Sequence, residues 1–429
     1  MLQNLSLNRL NQLLGILVIF FAPIDRYILE IPFVVNLSFY RFFLILMITG
    51  FILQKLLHFS PTLKGRPLFY LLIFLYLFGL MIGMVQSNRL DDFSSYFLNE
   101  IMGLLIIVVF INIYSQKDIP TLFKAFVASF IFPVLTSLYV YFIFSTELRI
   151  IEVLPLSDVL PFLRTIEFDN HPFRFGLFPR LGLPYSTSPH LAVVASIILI
   201  IVLFYYKKTK RFVLAGAIFL ILIGTLTRTV IVSLFLTFLV YTIFYLHDIG
   251  IRLLVLKKKY LFLFLLFGLG AFFLSQLEVF NMLTGRLTEG NLTEDRHFIL
   301  IIEAFYILFD SVNNLLFGIG DGNLVFQDPV HTYLPPDSLL NSFLTLLVHR
   351  GLVGFFLNVS LYIYLLGHLI NKRLVNKETG YALLFAFINV LFAFNFYELR
   401  FVNGVWILMG IIAVFVNDNE KKDRIPGYS

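Results

Sequence analysis

Arg228 stands in GTLTRTVIVSLF, between two apolar runs with almost no polar loop around it. A guanidinium at such depth is costly, and ionisable residues inside apolar spans are functional candidates by default. Most other groups able to do chemistry fall between Leu277 and Leu340. They are Arg286, Glu294-Asp295-Arg296-His297, Glu303, Asp310, Gly318-Ile319-Gly320-Asp321-Gly322, Asp328, His331 and Asp337. Arginine binds phosphate or carboxylate in bidentate fashion and tolerates burial better than lysine. Histidine and aspartate can act as proton acceptors. Their shared stretch therefore reads as the working part of a membrane enzyme that acts at one membrane surface.

The spacing predicts how elements position these groups. Arg296, Glu303 and Asp310 recur every seven residues, so a helix over 295–310 gathers them on one side. Its FILIIEAFYILF is apolar enough to lie against a membrane, and it should end before Asn313-Asn314. Gly318-x-Gly320-x-Gly322 reads as a turn able to offer backbone N–H groups to phosphate. A return helix is expected from Pro335-Pro336-Asp337, placing Asp337, Asn341, Thr345 and His349 four residues apart. Such a polar stripe must face protein or water. His349-Arg350 lies deeper, and Gly351 and Gly354 permit close helix packing. Earlier in the chain, Arg174, Arg180 and His190 flank the start of another span. At the far end, Glu398 and Arg400 either pair or close the site. Asp25 and Asp91-Asp92 lack a partner carboxylate at ligand spacing, so no metal site and no cofactor is expected.

Composition says where these elements sit. Of 429 residues, 59% are hydrophobic and 14% charged, with a mean hydropathy of +0.89. A soluble domain is nearer about 45–50% apolar and about 25% charged, so lipid is part of the solvent. There is no cysteine, which excludes disulfides, thiolate metal sites and cysteine nucleophiles. The N-terminal apolar run lacks a small-residue cleavage site and reads as a retained first span.

The expected fold is all-α, a polytopic integral membrane protein. About twelve spans of the required length lie at 9–24, 37–57, 67–86, 96–114, 121–144, 187–206, 211–227, 229–247, 258–276, 343–370, 379–396 and 400–417. This divides the chain into a five-span bundle (1–144), an outer loop (145–186), four spans including the Arg228 turn (187–276), a large outer loop before the tenth span (277–342), and three spans with a tail (343–429). Lys and Arg cluster in alternate connections, at Lys64 and Arg66, Lys117, Lys207-Lys208, Lys257-Lys258-Lys259, Lys372-Arg373 and Lys421-Lys422. By the positive-inside rule these connections and both termini face the cytoplasm. The net charge of +6 is then a topology signal and no sign of a nucleic-acid partner. Every lysine falls at or near the cytoplasmic side, which leaves an outer face whose basic residues are all arginine. That face suits a lipid diphosphate.

Taken together, these residues resemble the O-antigen polymerase and O-antigen ligase family of bacterial envelope enzymes. Four features carry the resemblance. Thr227-Arg228-Thr229 is similar to the family's Ser-Arg-Thr between two spans. The Arg296 helix leading to Leu315-Leu316-Phe317-Gly318-Ile319-Gly320 is similar to its arginine, apolar helix and Leu-x-Gly-x-Gly. Asn341-Ser342-Phe343-Leu344 through Gly351-Leu352-Val353-Gly354 is similar to its His-Asn-x-x-Leu helix ending in Gly-x-x-Gly. Arg174 to Ala192 is loosely similar to its Arg-Gly-x-x-x-x-Pro stretch before a span. In one respect the chain departs, since Leu340 stands where the family has its histidine.

The resemblance implies a glycosyltransferase of the bacterial inner membrane, with its active face on the periplasmic side. It would polymerise glycan repeat units carried on undecaprenyl diphosphate. Arg228 and Arg296 would hold the diphosphate, with Arg174, Arg180, Asn341 and Arg350 as further substrate-binding groups. His331, Asp337 and His349 stand as alternatives for the general base. A ligase, transferring finished polymer to lipid A-core, would use the same residues. Polymerases of this family usually work beside a flippase and a chain-length regulator. A transporter of the lipid-linked oligosaccharide is the competing class. It should show related halves and broken helices at the bilayer midplane, whereas the polar groups gather at one surface.

Overall fold

The computed structural model describes residues 2–24, 28–29, 37–57, 63–88, 90–145, 181, 185, 187–225, 227–248, 296–321, 323, 341–400 and 402–417. Apart from a two-residue antiparallel pair, Ile28–Leu29 with Leu37–Ser38, the regular structure of these residues is helical. Seven segments are long and apolar enough to cross a membrane: Leu7–Ile24, Phe39–Leu57, Pro67–Val85, Gln116–Leu138, Ser188–Tyr205, Thr229–Leu246 and Ser342–Lys372. Phe97–Ile113 and Asn403–Asn417 are shorter apolar helices. The expected spans at 211–227 and 379–396 appear as 17-residue helices, and the one at 258–276 lies outside the described residues.

In chain order the helices are α1 (Leu2–Phe21), α2 (Phe39–Leu57), α3 (Pro67–Val85), α4 (Leu90–Ile113), α5 (Ile119–Ser129), α6 (Ile131–Ser145), α7 (Ser188–Tyr205), α8 (Lys208–Gly224), α9 (Arg228–Asp248), α10 (Arg296–Phe309), α11 (Val312–Phe317), α12 (Ser342–Lys372), α13 (Lys377–Ala393) and α14 (Asn403–Asn417). The expected single span at 121–144 is divided between α5 and α6. Pro133 has no N–H to donate to the Ser129 carbonyl, and its ring crowds that carbonyl, so the helix is interrupted there. Side-chain caps start several others. Thr187 accepts from the His190 N–H, Ser311 from Asn314, Asn341 from Leu344 and Asn376 from Thr379.

Which helices are central follows from their sequence. α7, α13 and α14 are apolar all round, and nearly every residue of Leu191–Val202, Thr379–Val390 and Gly404–Val416 is buried. A helix without a polar face belongs inside the bundle. α3 and α8 instead expose large side chains such as Phe74, Phe78, Phe212 and Leu220, the surface that spanning helices turn to lipid. Close packing uses small residues where backbones meet. Gly79 of α3 lies against Asn358 and the Gly354 carbonyl of α12, and Gly103 of α4 against the Trp406 indole.

The bundle has two chemically different ends. At one, Arg66 meets His368 at 2.6 Å, Arg373 pairs with Asp248 at 2.6 Å, Lys207 pairs with Glu378 at 2.6 Å, and Lys372 donates to the Val416 carbonyl at 2.8 Å. At the other, the Ser342 N–H donates to the Phe394 carbonyl at 2.8 Å, Thr229 donates to the Tyr397 hydroxyl, and His190 Nε2 lies 3.1 Å from the Glu398 carbonyl. The helix starts at Ser188, Arg228 and Ser342 share this second end.

Candidate functional site

α12 begins at Ser342, with Asn341 extended as its cap, and not at Pro335–Asp337. The polar stripe of the helix therefore starts at Asn341. Its amide also donates to the Asn395 carbonyl at 3.0 Å, and Thr345 donates back to the Asn341 carbonyl at 2.7 Å. Two turns on, the helix breaks. Gly351 has φ 61° and ψ −173°, which is non-helical, so 342–350 is a short arm and 352–372 the spanning part. The break lies level with Gly83, two residues from the end of α3.

Against this break sits the glycine segment. A Cβ on Gly318 would run into the backbone of His349 and Arg350, and one on Gly351 into the backbone of Leu316 and Phe317. Gly320 stands in the same relation to Gln86 and Ser87. The N–H groups of Ile319, Gly320 and Asp321 donate to the carbonyls of Val348, His349 and Gly83 at 3.0, 2.9 and 3.1 Å. A phosphate-binding role for this turn would need those N–H groups, and protein carbonyls hold them instead. Gly322 lies outside the described residues.

This wedge carries Asp321 into a buried network assembled from five separated segments. Glu100 of α4 accepts from Arg350 Nη2 at 2.6 Å and Nη1 at 3.1 Å, from Arg400 Nη1 at 3.1 Å, and from the Tyr76 hydroxyl at 2.7 Å. Asp321 accepts from Arg350 Nε at 3.1 Å, and its other oxygen is 3.0 Å from His349 Nδ1. Arg350 also donates to Asn358 at 2.9 Å. Glu398 accepts from Arg400 Nε at 2.8 Å and Nη2 at 3.2 Å. The side chains of Glu100, Asp321, His349, Arg350 and Arg400 have no exposed surface.

Three carboxylates thus meet two guanidiniums shut away from bulk solvent. Burial alone would raise the Asp321 carboxyl, yet Arg350, then the hydrogen bond and charge of His349, then Arg400 outweigh it and hold it well below the usual carboxylate range. For Glu398 too burial pulls upward, and Arg400 overrides it, so its carboxyl is held low. Burial works against the charge on Arg400, but Glu398, Glu100 and Asp321 raise it well above its ordinary value. Opposite charges and direct hydrogen bonds keep all three ionised.

Of the residues singled out from the sequence, His349, Arg350, Glu398 and Arg400 come together in this network, while Asn341 caps the arm above it. Arg350 spends its Nε, Nη1 and Nη2 on protein partners. Arg228 and Arg296 are the first residues of α9 and α10, and their side chains lie outside the described part. Arg174, Arg180, His331 and Asp337, together with Asp25 and Arg286, lie outside the described residues. Sequence reasoning passed over Glu100, although a lone acid inside the apolar run of α4 is the signal that marked Arg228. Asp321 was visible only as the filler of a glycine turn. Beside the network, a cavity of about 500 Å³ opens between the end of α3 and α10–α11, lined in part by Gln86, Asn88, Asn314 and Asn323. Among known proteins, no family model and no curated protein matches this chain.

Proposed function

We propose that the chain is a membrane glycosyltransferase that joins glycan repeat units carried on undecaprenyl diphosphate at the outer face of the bacterial cytoplasmic membrane. One observation carries the reading. The segments Leu315–Gly320 and Asn341–Gly354, which bear two of the four family-like motifs, interlock backbone to backbone at Gly318 and Gly351. This contact brings two of the motifs that carry the resemblance to one place, which supports reading them together. The helix that starts at Arg228 begins at that same end, since Thr229 donates to Tyr397 there. α10, which starts at Arg296, packs Ala304 against Leu344 and Val348 of the arm.

In this reaction an acceptor sugar hydroxyl attacks the anomeric carbon of the donor glycan. A new glycosidic C–O bond forms, the bond to the diphosphate breaks, and undecaprenyl diphosphate leaves with the electron pair. Arg228 and Arg296 stabilise the charge that develops on it. The hydroxyl proton goes to His331 or Asp337. His349, fully buried against Asp321, is better suited to fixing the arm than to meeting a substrate.

The test is reconstitution of purified protein in liposomes with an undecaprenyl diphosphate-linked oligosaccharide, the product being resolved by length. A ladder from the wild type, reduced about a hundredfold to a thousandfold by Arg228→Ala or Arg296→Ala, is the expected result. Transfer only to added lipid A-core would replace the polymerase by the ligase. The helix break at Gly351 gives a transporter some support. It lies at the end of the bundle, however, and not at its middle. Movement of intact donor across the bilayer with no change in glycan length would favour that class, and unchanged ladders from both arginine variants would sink the proposed site.

A further inference from the structure

α10 divides into three sectors around its axis. Ile301, Ala304 and Leu308 face the protein, where Ala304 and Leu308 are buried and Ile301 packs with Leu344 and Val348 of the arm. Glu303 stands apart from them on the helix, and the exposed Asp310 follows directly after its last residue. The third sector has no counterpart in a helix that meets only protein and water. Ile302, Phe305, Tyr306 and Phe309 fall at i, i+3, i+4 and i+7 and are exposed, Tyr306 by 76% and Phe309 by 66%. α11 extends the patch with Val312, 73% exposed, and Phe317.

This apolar face is continuous with the lipid-facing surface of the spans. Leu316 and Phe317 lie against Gly351, two residues before Val353 and five before Phe356, which α12 exposes. Across the adjoining cavity from Ile307 and Asn314 stands Val85, 80% exposed at the end of α3. We infer that α10–α11 is a membrane-surface shelf, lying along the leaflet at the network end with Tyr306 and Phe309 in the acyl region. A helix with an apolar face, a polar face and no room to span is built for that position. The inference concerns the bilayer alone and holds whether or not the chain is a glycosyltransferase.

The absence of native cysteine allows a direct test. Full-length Tyr306→Cys and Phe309→Cys, spin-labelled in lipid nanodiscs, should collide more with oxygen than with a water-soluble nickel chelate. They should resemble Phe74→Cys, which reports the exposed middle of α3. Asp310→Cys should show the opposite preference. Labels at 306 and 309 that favour the nickel chelate would overturn the shelf by showing a wet face. Immobile labels shielded from both probes would overturn it too, by showing a face covered by protein. Tyr306→Trp gives a second measurement, because the only native tryptophan, Trp406, is 2% exposed. Quenching by brominated lipid above the Trp406 background is expected, and its absence counts against the shelf.

Discussion

Glu100 is the residue on which side chains from α3, α12 and the connection before α14 converge. Its two oxygens take four donors, from Arg350, Arg400 and Tyr76. Ions removed from water are compensated only by such saturation, and removing one partner of a buried pair typically costs ~3–5 kcal/mol. Arg350→Ala leaves Glu100 short of two donors and Asp321 short of one, so a loss of about that size is expected in detergent unfolding. Arg350→Lys should fall between it and the wild type, because an ammonium cannot fork between two carboxylates. Unfolding of Arg350→Ala at the wild-type midpoint would mean that the network contributes nothing to stability. The charged members at 350, 398 and 400 could be picked out from the sequence, Arg350 as a residue deep in a helix and Glu398 and Arg400 as a hairpin pair. Their partners could not, since Glu100 lies 250 positions from Arg350 and 300 from Arg400. No periodicity reports a pairing of that range.

For the elements, the decisive contact is backbone on backbone between the glycine turn and the break in α12. Gly318 and Gly351 both have positive φ, 77° and 61°. A side chain at either would occupy a left-handed conformation and also collide with the facing main chain. Gly351→Ala and Gly318→Ala should each lose at least the ~1–3 kcal/mol of a strained backbone, with α10–α11 more open to proteolysis. Gly216→Ala and Gly367→Ala are the matched controls. They sit in helices with nothing near the added methyl, and helix propensity favours alanine by up to about 1 kcal/mol. Equal effects at all four positions would dismiss the interlock. The glycines at 351 and 354 were legible as sites of close packing, those at 318 and 320 only as a turn, and the helix over about 295–310 as an apolar element with charges on one side. The use of the turn's N–H groups was not, because it depends on the carbonyls of Val348, His349 and Gly83 arriving from elsewhere. The start of α12 was placed too early for a local reason. The periodic polar stripe continues through Asp337, whereas the Asn341 cap, a single side-chain hydrogen bond to Leu344, sets the boundary.

At the scale of the molecule, the two ends of the bundle differ in kind, and that difference is open to measurement. One end carries Lys64, Arg66, Lys207, Lys372 and Arg373, several held to carboxylates or helix ends. The other carries the sealed network and the starts of α9 and α12. If lysine-rich connections stay in the cytoplasm, then the exposed Asn395 and Lys377 face opposite compartments. In spheroplasts with an intact cytoplasmic membrane, Asn395→Cys should react with an impermeant maleimide. Lys377→Cys should react only after permeabilisation. Labelling of both from outside would contradict the antiparallel packing that the contacts describe. The reversed pattern would keep the fold but turn the network toward the cytoplasm. Arg228 would then face a compartment supplied with nucleotide sugars, and a lipid-linked donor would lose its main physical rationale. The orientation experiment therefore bears on function as well as fold, since it decides which substrates the arginine-bearing end can meet.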